Sequence, residues 1–141
     1  KSYSKYSKKV FSLKQCSDHD LEKIYKYLIQ EGYVSTSMDQ FKRCFGGNSY
    51  GCPKIPWKPN KVSRINIREV FSFIETLQKL NIIESSANKK EFYTATACCF
   101  VDKNSKEYGS LATRHNQYLK EKKSYELSSW LTQTFKRHDL D

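Results

Sequence analysis

Gly46 and Gly51 are separated by four residues, the glycine spacing of a phosphate-binding loop. Such a loop needs Lys and then Ser or Thr directly after the second glycine, so that an ammonium and a magnesium-ligating hydroxyl reach the phosphates. Cys52 and Pro53 occupy those places and no strand is expected before them, which excludes a nucleotide-hydrolysing loop. Zinc is the next chemistry to test. Cys16 and His19 have a two-residue spacer, and Cys44 and Cys52 could supply two further ligands, but across a seven-residue spacer that is long for a zinc knuckle. A small apolar core role is the simpler reading of these cysteines, and no metal is assigned. His19, His115 and His138 fall in segments expected to be exposed or terminal, and no motif joins them to a Ser or Cys nucleophile. The chain therefore reads as non-enzymatic, with no catalytic residues and no cofactor.

The segment LATRHNQYLKEKKSYEL carries the most suggestive polar set. Arg114, Asn116, Gln117 and Lys120 are side-chain types that read base edges in a major groove, and Lys122 and Lys123 could hold phosphates. Lys58, Lys61 and Arg64, just before a predicted helix from Asn66, could grip phosphate near its N-terminus. An ordinary solvated helix face is the bland alternative. The totals lean the same way: 25 Lys and Arg against 15 Asp and Glu give a formal charge of +10, which concentrates polyanions around the chain.

These residues must be positioned by helices. Residues 1–15 read as a flexible basic arm and residues 16–141 as one helical domain. Ser17 is an expected N-cap, followed by Leu21, Ile24, Tyr25, Leu28 and Ile29 on one face, with Gly32 as the stop. A shorter helix from about Ser37 carries Met38, Phe41 and Phe45 until Gly46 and Gly47 end it. The stretch FGGNSYGCPKIPWKPNK is then a corner: its prolines keep it extended, and Ile55 and Trp57 plug into the core. Asn66 and Glu69 suggest a capping box for a central helix bearing Val70, Phe71, Phe73, Ile74, Leu77 and Leu80. LIQEGYVST and LQKLNIIES echo one another, each ending a helix at Gly or Asn before a β-favouring step. Residues 82–95 fit either a hairpin or a loop leading into a helix, and the small residues Ala95, Ala97, Cys98 and Cys99 favour the helix. Two last helices are expected over about Ser110–Lys120 and Ser124–Lys136, the second with Leu127, Trp130, Leu131 and Phe135 inward.

No apolar run approaches the roughly 18 residues of a membrane span, and the first residues lack the apolar core of a signal peptide. Five cysteines, an odd count, leave at least one thiol unpaired and favour a reducing cytoplasm.

LEKIYKYLIQEGYV, MDQFKRCFGG, KIPWKPNK, INIREVFSFIETLQKLNII and GSLATRHNQYLKEKKSYEL together resemble a pattern in the RteC-related regulators and uncharacterised relatives of Bacteroidetes mobile elements, over most of residues 20–131. The resemblance implies a helical protein with a helix-turn-helix or winged-helix-like DNA-binding part and a role in transcription regulation. It brings no catalytic or metal-binding positions. The expectation is a mainly α, single multi-helix domain with at most a small β-hairpin, binding DNA through its basic surface. The alternative is a helical interaction module docking an acidic protein partner through exposed aromatics, which exposed tyrosines suit equally well.

Overall fold

In the computed structural model, residues 9–48, 52–58, 66–121 and 123–136 are described. Ser17 starts α1 (Asp18–Gln30) by a reciprocal cap: its hydroxyl accepts from the Asp20 N–H at 3.1 Å, and the Asp20 carboxylate accepts from the Ser17 N–H at 3.4 Å. Leu21, Ile24 and Leu28 are buried beneath it, whereas Ile29, expected on the same face, is 38% exposed. Ser37 caps α2 (Met38–Arg43) through the Gln40 N–H.

The glycine pair after α2 does not act as a stop. The helix ends at Arg43 with Cys44 as its cap, and Gly46–Asn48 form β2, antiparallel to β1 (Lys9–Ser12). Phe11 donates its N–H to the Cys44 carbonyl at 2.9 Å, so the turn leaving α2 is already committed to the strand pair. Part of the segment expected as a flexible basic arm is structured, since Lys9–Ser12 form β1 and Val10 and Phe11 are buried, while residues 1–8 lie outside the described residues.

The described part of the proline-rich corner forms β3 (Ile55–Pro56), parallel to β4 (Phe100–Val101). Ile55 and Trp57 are fully buried, as expected of core plugs. The Trp57 N–H donates to the Val101 carbonyl at 2.9 Å and its indole N–H to Glu69 Oε1 at 3.0 Å. A disulfide between Cys52 and Cys98, with Cα atoms 4.6 Å apart, fastens the corner sideways. Cys16, Cys44 and Cys99 remain thiols. The expectation of a reducing compartment, drawn from the odd cysteine count, thus meets one formed disulfide.

Asn66 proves to be the first residue within α3 (Asn66–Lys79) rather than the residue before it, and the Glu69 carboxylate accepts the Trp57 indole N–H. The apolar band of α3 is buried from Ile67 to Leu80. Both echoing segments end their helices by one device. Gly32 and Asn81 sit at φ 80° and 61°, and Tyr33 and Ile82 donate back to the Leu28 and Leu77 carbonyls, each at 2.9 Å. Gly32 and Asn81 also donate to Ile29 and Gln78, each at 3.1 Å, completing a Schellman motif in both places. The next residues, Tyr33, Val34, Ile82 and Ile83, are then turned into the core.

Residues 82–95 resolve into a loop and the start of α4 (Lys89–Cys99), so no wing hairpin forms there. Asn88 Oδ1 caps that helix by accepting the Glu91 N–H at 2.9 Å. Ala95, Ala97, Cys98 and Cys99 are all buried, because small side chains let α4 approach β1 and β4 closely. The last helices are α5 (Leu111–Glu121) and α6 (Glu126–Phe135), both packed on α3. The result is a mainly α domain with two small two-stranded sheets among the described residues. None of its described helices is long and apolar enough to cross a membrane.

Candidate nucleic-acid interface

The helix that bears the candidate base readers is positioned from its buried side. Leu111 and His115 are buried and Tyr118 is half-buried, a spacing of four and then three that lays one stripe along α3. His115 was expected to be exposed, since its neighbours Arg114, Asn116 and Gln117 are polar; it is only 6% exposed. Its Nε2 lies 2.6 Å from Glu75 Oε2 and its Nδ1 3.0 Å from the Tyr93 hydroxyl. A carboxylate can only accept, so Nε2 carries a hydrogen, and in the neutral ring Nδ1 accepts from Tyr93. The rings of Phe71 and Phe92 stand 4.8 and 5.1 Å from the imidazole.

With that stripe inward, about 100° of rotation per residue turns Thr113, Asn116, Gln117 and Lys120 outward, and all four are exposed. Arg114 is exposed on the flank. Glu121, the single carboxylate of α5, is engaged twice: by an ion pair with Arg68 of α3 and by the Tyr125 hydroxyl, which donates to it at 2.7 Å. Burial, followed by this hydrogen bond to Glu121, pushes the Tyr125 phenol well above its usual range. Arg68 also donates to Gln117 Oε1 at 3.5 Å. The outer face of α5 therefore presents amide, hydroxyl and ammonium groups while its carboxylate faces a cation.

Lys123 is exposed just beyond the helix, with its ammonium 5.6 Å from the centre of the Tyr125 ring. Lys58 is exposed but attached elsewhere: its N–H donates to the Tyr33 carbonyl at 2.6 Å and its ammonium to Ser35 Oγ at 3.3 Å. Lys61, Arg64 and Lys122 lie outside the described residues. The structure thus gathers Arg114, Asn116, Gln117 and Lys120 on one helix with Lys123 after it, and fixes Lys58 beside the loop that follows α1.

Sequence reading missed Arg68 as the brace of this face and His115 as its anchor. The spacing of Leu111, His115 and Tyr118 was the available signal for the second. The discarded zinc set is not assembled, for Cys52 is bonded to Cys98 while the buried Cys44 thiol, raised by desolvation, lies against Cys99. Among the described residues no group of three or more His, Cys, Asp or Glu could hold a metal ion. No family model matches the chain, and no curated protein or solved structure matches it.

Proposed function

We propose that this is a non-enzymatic, DNA-binding regulatory protein of the cytoplasm. The observation that carries the reading is the outer face of α5, where Asn116, Gln117 and Lys120 point outward, flanked by Arg114, while Glu121 is held by Arg68. Amides and cations of this kind pair with base edges and phosphates, and a formal charge of +10 draws a polyanion toward them. The resemblance to RteC-related regulators points the same way. In this reading Lys123 and Lys58, together with Lys61, Arg64 and Lys122, meet phosphates. The Cys52–Cys98 link would be a reducible bond in a thiol-rich compartment.

The test is fluorescence anisotropy with a random-sequence duplex at about 50 and 200 mM salt, where several phosphate contacts cost orders of magnitude in affinity. Lys58→Ala and Lys123→Ala should weaken binding to all sequences and flatten the salt slope, whereas Asn116→Ala and Lys120→Ala should each relax specificity at one position. Absence of binding at the lower salt sinks the reading.

Leu119, 46% exposed on the same helix, favours a second reading, an interaction module docking an acidic protein partner. Leu119→Ser would then abolish partner binding and leave any duplex affinity unchanged.

A further inference from the structure

One face of α6 is polar around a tryptophan that packs against the edge of the core and is only partly covered by it. Glu126, Ser129, Trp130 and Gln133 recur at the three-and-four spacing of a single stripe, apart from the buried Leu127, Leu131 and Phe135. A large aromatic ring among Glu, Ser and Gln is out of place on a merely solvated face. Trp130 is half-buried and stacked flat on Tyr27 of α1, with centroids 3.8 Å apart and planes 9° from parallel. Together with Tyr125 these rings line an open cleft of about 420 Å³, whose other walls include Glu126, Ser129 and Gln133. Lys123 brings an ammonium to within 5.6 Å of the Tyr125 ring centre. Aromatic walls, amide and hydroxyl groups, and one adjacent cation are the parts with which proteins hold an unstacked base and its phosphate.

We propose that this cleft receives one unstacked base of a single nucleic-acid strand. The base ring lies against the aromatic wall, Gln133, Ser129 and Glu126 meet its polar edge, and Lys123 meets the phosphate. A cationic ligand suits the same rings less well, because a chain of charge +10 repels it before it arrives. The inference shares with the proposed function the need for an anionic strand, but it uses α6 and α1 instead of the outer face of α5.

The experiment compares a labelled single strand of about 12 nucleotides with its duplex, on the whole chain, by anisotropy and tryptophan emission. Trp57 is fully buried and gives a constant background, so stacking is read from Trp130. Expected are quenching of Trp130 by the single strand and a loss of about tenfold in its affinity in Trp130→Ala, the size of one base–aromatic stack. Duplex affinity should not change in that variant. Should Trp130→Ala fail to fold, Tyr125→Ala and Gln133→Ala must each weaken single-strand binding severalfold. Unchanged single-strand affinity in the folded variants overturns the cleft, and a steep salt slope for the duplex would still leave the α5 reading standing. Trp130-dependent strand binding with no duplex binding upholds the cleft and removes the α5 reading. Quenching by a neutral oligosaccharide but not by the strand overturns the inference and makes this a sugar site.

Discussion

Trp57 fills the centre of the molecule. Its ring lies 5.3 Å from Tyr33, 5.5 Å from Phe73 and 5.7 Å from Phe100, and its indole N–H is spent on Glu69. Trp57→Ala should therefore cost about 3 to 5 kcal/mol, combining lost burial with a cavity. A thermal melt within a degree of wild type would contradict the core role. A second expectation concerns tyrosines. Desolvation raises Tyr33, Tyr108, Tyr118 and Tyr125 above the ordinary value of 10.0, with nearby carboxylates adding to each. Their neutral forms are thus favoured by folding. The unfolded chain gives up these protons first as pH rises, so the stability they contribute is complete below about pH 10 and is lost as pH climbs towards their folded-state values. Melting temperature should begin to decline above about pH 8.5, where an unfolded Cys44 thiol ionises before the buried one, and fall more steeply above about pH 10 as the tyrosines join it. Phenolate absorbance should rise in two stages, the later one coinciding with unfolding.

The two helix stops give an element-scale test. Asn81 holds φ 61° and donates back to Gln78, the place Gly32 takes in α1. Asn81→Ala should cost about 1 to 2 kcal/mol in urea denaturation, because a Cβ without a polar side chain is unfavourable in the left-handed region. Asn81→Gly should remain close to wild type, losing only the exposed 3.4 Å contact from Lys14. Equal destabilisation by both would locate the effect in that side-chain contact instead. These stops were legible in the sequence, as were the cap at Ser17 and the burial of Leu127, Leu131 and Phe135 in α6, since each rests on residues within a few positions of one another, whereas Trp130, expected inward with them, is only half-buried. Gly46 and Gly47 were misread because their fate depends on Phe11, more than thirty residues earlier in the chain. His115 was misread through its polar neighbours, although the stripe on which it lies was regular. Arg68 had no local signature: its partners Gln117 and Glu121 are joined to it only by the packing of α5 on α3.

Across the whole molecule, the Cys52–Cys98 bond closes a span of 46 residues between the proline-rich corner and the end of α4. No local spacing could pair these cysteines among five. A loop of that length restricts the unfolded chain by about 4 kcal/mol in the chain-entropy account. Cys52→Ser should accordingly lower the melting temperature by about 10 °C or more and make it insensitive to reductant, whereas wild type should fall to the same value on reduction. If reductant leaves wild type unchanged, the bond contributes nothing to stability. The link from Glu75 through His115 to Tyr93 also spans the molecule, since it joins three helices by side chains alone. Oily contacts hold a helix down but tolerate roll about its own axis. An imidazole tied at two different nitrogens does not, because rolling α5 either way stretches one bond or the other. His115 thereby fixes the compass bearing of Asn116, Gln117 and Lys120, and the direction in which this protein looks outward is set by a residue that never reaches the surface.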